Sequence, residues 1–137
     1  MKRYLLDTGP LAGALLGRRH VVDHLGERLD GDELATSVLA YGEIVEHIRG
    51  RQDFEARERE LRDLLRDVCP YFLTYPILDR YAQVRRQMRP PSGPGLIGDI
   101  DTLVAATALE RNLIVVTMDA DFQRVPGLTV ELVPRTR

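Results

Sequence analysis

The sequence predicts an α/β protein with a central, mostly parallel sheet of about five strands. Short apolar runs alternate with longer segments of helical periodicity, and that order requires right-handed crossovers between parallel strands. The two most apolar runs, 2–6 and 113–116, should form adjacent central strands. A length of 137 residues allows one domain with a proper core but not two, so we expect a single domain over residues 1–137.

The first half of the chain predicts two short helices, a weak strand and a further helix. After the first strand, the pattern indicates helices over about 10–16 and 20–29. Residues 33–36 are a candidate for a short strand. They lead into a helix over about 37–49, for which Ser37 is a plausible N-cap.

A helical hairpin follows, because a charged helix over about 53–68 comes after a turn at 50–52. The apolar faces of the two helices consist of Val38, Tyr41, Val45 and Ile48 on the first and of Phe54, Leu61, Leu64, Leu65 and Val68 on the second. The second face could meet a partner protein or pack on the core of its own chain, and the sequence leaves both interpretations open.

The second half predicts three strands, two helices and a stiff loop. The elements in order are a strand over 71–74, a helix over 77–88, a Pro- and Gly-rich loop over 89–95, a helix opened by 98–101, a strand over 113–116, a turn at 121–122 and an edge-like strand over 128–133. Strands and helices therefore alternate to the end of the chain.

The composition indicates a globular protein, with 44% hydrophobic and 29% charged residues. The formal net charge of -2 gives no overall attraction to nucleic acid, so such binding would need a local patch or metal ions. All of the 19 basic residues except Lys2 are arginine. Arginine suits bidentate contacts with phosphate, but a GC-rich coding bias explains the excess equally well.

The single cysteine, Cys69, excludes an intrachain disulfide and a thiolate metal cluster. Because it stands between Val68 and Pro70, we expect an inert, buried thiol. No run approaches the roughly 18 apolar residues of a membrane span, and the charged start is not typical of a signal peptide. We therefore expect a cytoplasmic protein without a membrane partner.

Two predicted strands end on an acid. Asp7 closes the first run, and Thr117-Met118-Asp119 closes the run over 113–116. Ligands of open parallel sheets gather at the carboxyl ends of the strands, so both acids face the usual place of chemistry. For Asp7 alone, an N-cap of the helix near Pro10 would be an equally good explanation.

Four acids at strand ends or in early helical turns form the candidate site: Asp7, Glu43, Asp101 and Asp119. Ionised carboxylates about 4 Å apart repel by roughly 4 kcal/mol per pair at an effective dielectric of 20, so such a cluster needs protons or a cation. Oxygen ligands favour Mg²⁺ or Mn²⁺ over zinc. A metal ion held in this way suits phosphodiester hydrolysis, because it lowers the pKa of an attacking water.

The motifs resemble those of PIN domains, and most closely those of the VapC-type toxin ribonucleases of type II toxin-antitoxin systems. The resemblance covers nearly the whole chain and depends on Leu5-Leu6-Asp7-Thr8, on Glu43 in the helix after the second strand, on Asp101 before the alanine-rich helix over 102–108, and on Val116-Thr117-Met118-Asp119-Ala120-Asp121-Phe122. It implies a three-layer α/β/α fold and a Mg²⁺-dependent endoribonuclease. It also implies a homodimer that is blocked by an antitoxin inserting into its groove and that reaches DNA only through that antitoxin.

The resemblance also assigns roles to single residues. It implies that Asp7, Glu43, Asp101 and Asp119 hold Mg²⁺, or Mn²⁺ in its place, and catalyse the reaction, with Thr117 as a hydroxyl helper. The other supporting candidates are Thr8, Asp99 and Asp121. Asp99 could instead cap the helix of Asp101, and Asp121 could shape the turn before Phe122.

Two further groups have weaker claims. His20 and His24 have a helical spacing that can bind zinc, but no third ligand or neighbouring Glu accompanies them. The arginine clusters could meet RNA phosphates at the rim of the site, or could simply be solvated charges; they are Arg18 with Arg19, and Arg85 with Arg86 and Arg89.

Three other functions are weighed against a nuclease. A receiver-like phosphoacceptor domain would need a lysine beside the acids, and Lys2 is in the wrong place. A dinucleotide-binding fold would need Gly-x-Gly-x-x-Gly after the first strand, which is missing. A non-catalytic PIN-like module, acting through a protein partner and DNA, stays open. The sequence does not reveal the RNA target, toxicity, the number of metal ions or the identity of an antitoxin.

Overall fold

A computed structural model describes residues 1–135 of the chain. Within these residues, five strands form one sheet in the order β3-β2-β1-β4-β5, and all four strand pairs are parallel. The strands are β1 (Tyr4–Leu6), β2 (Leu34–Ser37), β3 (Cys69–Tyr71), β4 (Ile114–Thr117) and β5 (Val130–Leu132). The predicted parallel α/β sheet is confirmed.

Six α-helices connect these strands within the described part of the chain. They are α1 (Thr8–Leu15), α2 (Arg19–Leu25), α3 (Val38–Ile48), α4 (Phe54–Asp67), α5 (Tyr75–Met88) and α6 (Asp99–Arg111). Short 3₁₀ helices follow α2 over Gly26–Asp30 and follow β4 over Ala120–Arg124. No helix in residues 1–135 combines the length and the apolar character that crossing a membrane requires.

The helices lie on both faces of the sheet and make three layers. Leu5 and Val115 point to one face, where they join a core with α5 and α6. The next residues, Leu6 and Val116, point to the opposite face and join a core with α1, α2, α3 and α4. This alternation is the period of two of a β-strand, and both faces are apolar because both are covered.

The two acid-tipped strands are neighbours at the centre of the sheet, as predicted. β1 pairs with β4 in a register that places Leu6 beside Val116. Each fully buried aliphatic side chain in these strands contributes about 1.5–3 kcal/mol by leaving water. Strong burial therefore fixes the positions from which Asp7 and Asp119 leave the sheet.

The third strand differs from its prediction. The apolar run suggested a strand over 71–74, but β3 is Cys69–Tyr71 and the next residue, Phe72, is 69% exposed. Pro70 can take part because β3 is an edge strand, where a missing N–H is tolerated. Cys69 is exposed, so the prediction of a buried thiol is wrong.

The helical hairpin of α3 and α4 is present, and Ser37 caps α3 by accepting a hydrogen bond from the backbone N–H of Leu39 at 3.1 Å. The predicted apolar face of α3 is shifted, because its buried residues are Ala40, Ile44 and Ile48. Val38, Tyr41 and Val45 of the predicted face are only half-buried.

Part of the apolar face of α4 packs inside its own chain. Leu61 and Val68 are buried in the core beneath α1 and α3, and Leu64 and Leu65 pack against that core. Part of this face therefore packs on the core of its own chain, while Phe54, Leu64 and Leu65 are only half-buried, and the interpretation as a partner surface stays a prediction.

Candidate active site

The carboxyl edge of the sheet carries Asp7 at the end of β1. Its backbone N–H donates to the carbonyl of Val116 in β4 at 2.9 Å, and its carbonyl accepts from Leu11 in α1 at 3.1 Å. Asp7 stands at the N-cap position of α1, yet its side chain makes no capping hydrogen bond. The helix-cap explanation of its side chain is therefore not supported, and the carboxylate has other hydrogen-bond partners.

Thr117 holds the Asp7 carboxylate in place. Its hydroxyl donates to Asp7 Oδ2 at 2.8 Å. The Thr117 hydroxyl oxygen in turn accepts a hydrogen bond from the backbone N–H of Asp119 at 3.0 Å. Thr117 is fully buried at the end of β4. One hydroxyl thus connects the acid after β1 with the segment that bears Asp119.

Glu43 reaches the site from helix α3 and not from the end of a strand. It is an exposed residue in the second turn of α3, and it accepts a hydrogen bond at Oε1 from the hydroxyl of Thr8 at 2.6 Å. Thr8 is the first residue of α1 and follows Asp7 directly. Glu43 is therefore tied to the end of β1, 35 residues earlier in the sequence.

Asp101 comes from the first turn of α6, and its surroundings show that the four acids share one region. Partial burial, followed by the negative charges of Asp7, Asp119 and Glu43, raises the pKa of Asp101 to about 6. Burial also raises the pKa of Asp7, although the hydrogen bond from Thr117 partly counteracts this effect. The charges of Glu43 and Asp119 raise the pKa of Asp7 further.

The four acids have no basic partner among residues 1–135. No Lys, Arg or His side chain there forms an ion pair with any of them, although other acids on the surface are extensively paired. Structural carboxylates are normally paired or solvated, so the raised pKa values of the partly buried and unpaired Asp7 and Asp101 mark a candidate functional site.

A comparison with protein families gives a match over most of the chain. The model of the PIN domain matches residues 4–128. The chain belongs to the PIN domain family. A comparison with curated proteins found no match for this sequence.

Solved structures share the fold of this PIN domain over nearly its full length. VapBC2 from Rickettsia felis, bound to a DNA fragment from its promoter, is 22% identical, with a TM-score of 0.80 and coverage of 95% of this chain and 98% of that chain. DNA-bound VapBC from Salmonella typhimurium is 19% identical, with a TM-score of 0.81 and coverage of 96% and 98%. VapBC-5 from Mycobacterium tuberculosis is 21% identical, with a TM-score of 0.63 and coverage of 98% and 99%. The predicted three-layer PIN-like fold is thus confirmed.

The chemistry of the four acids fits a hard divalent cation. The candidate ligands are all carboxylate oxygens, the ligand type that Mg²⁺ and Mn²⁺ prefer, and a cation would offset their unbalanced charge. Within residues 1–135, no three His, Cys, Asp or Glu side chains are yet close enough together to hold a metal ion as they stand. Binding of an ion would therefore require the side chains to converge, for which mutual repulsion in the ion-free state gives a physical reason.

Two supporting candidates occupy the edge of the site. Asp99 does not cap α6, whose N-cap is Gly98, but accepts hydrogen bonds from Arg85 and Tyr81 of α5. Its side chain is 71% exposed and faces α5. Asp121 donates its backbone N–H to Asp119 Oδ1 at 2.9 Å, and its carboxylate adds the smallest of the charge effects that raise the pKa of Asp101.

Other residues singled out in the sequence do not join the acids. His24 Nε2 lies 2.8 Å from Glu131 Oε2, whereas His20 Nε2 is buried without a hydrogen-bond partner, so the two histidines do not act together as ligands. Arg18, Arg19, Arg86 and Arg89 are exposed. Arg85 differs, because it pairs with Asp99. Sequence spacing gave no signal for that pair.

A groove that the sequence did not reveal adjoins the acids. It has a volume of about 740 Å³ and lies between α1 and α3, with Thr8 and Glu43 in its wall. Most of the wall is apolar, including Ala12, Leu15, Val38, Leu39, Ile44, Ile48 and Ile100. Polar side chains farther along α3 and beyond its end complete the wall, including Glu46, His47 and Arg51.

Proposed function

We propose that this PIN domain, formed by residues 1–137, is a Mg²⁺-dependent endoribonuclease and the toxin of a VapBC-type toxin-antitoxin pair. PIN domains are generally nucleases. The observation that carries the proposal is the group of four unpaired acids at the carboxyl edge of the sheet, two of which have raised pKa values. The substrate class is RNA, and the reaction is hydrolysis of a phosphodiester bond.

Asp7, Glu43, Asp101 and Asp119 would hold Mg²⁺, for which Mn²⁺ could substitute. The bound ion would lower the pKa of an attacking water and stabilise charge on the phosphate. The residues of the chain have separate tasks. Thr117 fixes the Asp7 carboxylate through its hydroxyl, and Asp101 would hold the ion from the first turn of α6.

The test is cleavage of single-stranded RNA by the purified protein. We expect cleavage with Mg²⁺ or Mn²⁺, none with EDTA, and a loss of at least about 100-fold in Asp101→Asn, because removing one metal ligand weakens both ion binding and charge stabilisation. Glu46→Gln is the matched control, since Glu46 lines the same groove without taking part in the acid group. Equal cleavage by wild-type and Asp101→Asn protein would show that another site or a contaminant is responsible.

The partner of the proposed toxin is an antitoxin protein, and DNA would be reached only through it. Solved VapBC structures with the same fold are described as bound to DNA, which supports this partner. The apolar groove offers a surface for an inserted antitoxin segment, and its wall contains Glu43 of the acid group. We also propose a homodimer and a cytoplasmic location.

The groove assignment is tested by co-purification with a co-expressed candidate antitoxin. We expect Leu39→Glu to prevent capture of that protein, because a charge in an apolar groove costs desolvation energy without a partner. Leu78→Glu, on the exposed side of α5, is the control. Undiminished capture by the Leu39→Glu protein would rule out this groove as the binding surface.

A non-catalytic PIN module, acting through a protein partner and DNA, is the second candidate. The open arrangement of the acids, which do not form a ready-made metal site within residues 1–135, is the observation that favours it. The same two experiments separate the candidates. Partner capture by a wild-type protein that cleaves no RNA with either metal would support the non-catalytic module.

A further inference from the structure

Glu43 differs from its neighbour on the same helix. Glu43 and Glu46 are both exposed, lie about one turn apart on α3 and line the same groove. Of these two side chains, only that of Glu43 accepts a hydrogen bond within the described residues, and the donor is the hydroxyl of Thr8. A free glutamate side chain on a helix surface samples many rotamers, so this contact selects one direction for Glu43.

Thr8 makes this contact in place of a local one. A hydroxyl at the start of a helix usually bonds to nearby backbone groups. The Thr8 hydroxyl instead donates to a side chain 35 residues away, at 2.6 Å, which lies at the short end of the range for hydroxyl donors and is typical of a charged acceptor. The side chains of Asp7 and Thr8 are thus both directed away from capping α1 and towards the acids.

The contact also opposes a force on Glu43. Glu43 shares one region with the carboxylates of Asp7 and Asp101, and like charges in one region repel each other. Nothing else in the described part of the chain prevents an exposed glutamate from turning into solvent. Thr8 and Thr117 therefore form a matched pair, in which each hydroxyl holds one acid of the site.

We propose that Thr8 is a positioning residue that directs Glu43 towards the metal ion. The inference rests on the proposed metal-dependent function, because it assigns the means by which Glu43 of α3 reaches the ion. Thr8 does not act on substrate, and its effect passes entirely through the Glu43 carboxylate. Removal of its hydroxyl should weaken ion binding without changing the fold.

The experiment measures Mn²⁺ binding to the full chain by electron paramagnetic resonance, which detects the free ion directly. We expect Thr8→Val to weaken binding by about 5- to 20-fold, since the lost hydrogen bond goes to a charged group but is partly exposed to solvent. Thr8→Ser keeps the hydroxyl and should bind within about 3-fold of wild type. In a Glu43→Gln background, Thr8→Val should cause no further loss, because the two residues act as one unit.

Two controls exclude a general effect of the substitution. Thr107→Val removes a hydroxyl that bonds to the carbonyl of Leu103 within α6, and Glu46→Gln alters the other glutamate of the groove. Both should bind Mn²⁺ as wild type does. Thermal unfolding in EDTA should show that the Thr8→Val protein is folded.

The outcomes separate this inference from the proposed function. If Thr8→Val binds Mn²⁺ as tightly as wild type while Asp101→Asn binds weakly, the metal site stands and the role of Thr8 is wrong. A loss that persists in the Glu43→Gln background also overturns it, because the effect then does not pass through Glu43. If wild type fails to bind Mn²⁺, the metal-dependent function fails and this inference fails with it.

Discussion

Partly buried acids lie in two regions of the molecule, and the charge of their neighbours is opposite in the two regions. At the carboxyl edge, Asp7 and Asp101 lie near other acids, and their pKa values are raised. In β5, Glu131 accepts hydrogen bonds from both Nη atoms of Arg28, at 3.1 and 2.8 Å, and lies 2.8 Å from His24 Nε2. The bond from Arg28 is the main reason that the pKa of Glu131 is lowered.

The difference separates a group that contributes to stability from the group for which we propose a role in catalysis. Arg28 also bonds to the carbonyls of Leu25 and His24, and its guanidinium lies 4.6 Å from the centre of the Tyr4 ring. The Glu131 group thereby fastens an edge strand of the sheet to the end of α2. The acid edge contains no such compensation among residues 1–135, so it costs stability in the absence of an ion, as functional sites often do.

Among the substitutions that test this comparison, Arg28→Met should have the largest effect on stability. We expect it to lower the free energy of unfolding by about 2 kcal/mol, because it leaves Glu131, which is only 29% exposed, without its bidentate partner. Urea denaturation monitored by circular dichroism measures the change. RNA cleavage per folded molecule should not change, since Arg28 lies outside the acid group.

The matched control is Arg66→Met. Arg66 and Asp63 form an exposed pair on α4 at 3.9 Å, and such surface pairs contribute about 0–1 kcal/mol. If Arg28→Met costs no more than Arg66→Met, the Glu131 group is not a structural anchor and the contrast between the two acid groups disappears.

Much of the fold could be predicted because the signals are local. The two apolar runs that end on an acid predicted that β1 and β4 are central neighbours. Ser37, as a predicted N-cap, marked the start of α3. The errors arose where tertiary packing decides. Periodicity could not tell which side of α3 meets the sheet, and an apolar run could not show that β3 begins at Cys69 on an edge.

The candidate site was predictable in its acids but not in the groups that hold them. Strand ends and early helical turns pointed to Asp7, Glu43, Asp101 and Asp119, whose roles stay predictions. The bond between Thr8 and Glu43 spans 35 residues, and the contact between His24 and Glu131 spans 107. Neither distance in sequence follows a helical or strand period, so only the folded chain reveals these partners.

A smaller effect is expected on the pH dependence of the free energy of unfolding. Asp101 and Glu131 should change this free energy in opposite directions as pH rises. The pKa of Asp101 is raised from 3.8 to about 6, so the folded protein binds an extra proton between these values. Its contribution to stability is present in full at low pH and is lost as pH rises through about 6. The pKa of Glu131 is lowered from 4.5, so its contribution is present at higher pH and is lost as pH falls through its folded value.

Without a divalent ion, the free energy of unfolding should therefore be greatest near pH 4.5 and should fall on both sides. On the alkaline side we expect a loss of about 1 kcal/mol, because the partial exposure of Asp101 screens much of the full shift. Urea denaturation in EDTA from about pH 4 to 8 measures the profile. Asp101→Asn should flatten the alkaline side and Glu131→Gln the acid side, each by removing the proton that is linked to folding. If the free energy of unfolding of the wild type rises steadily to pH 8, repulsion among the acids does not destabilise the folded protein.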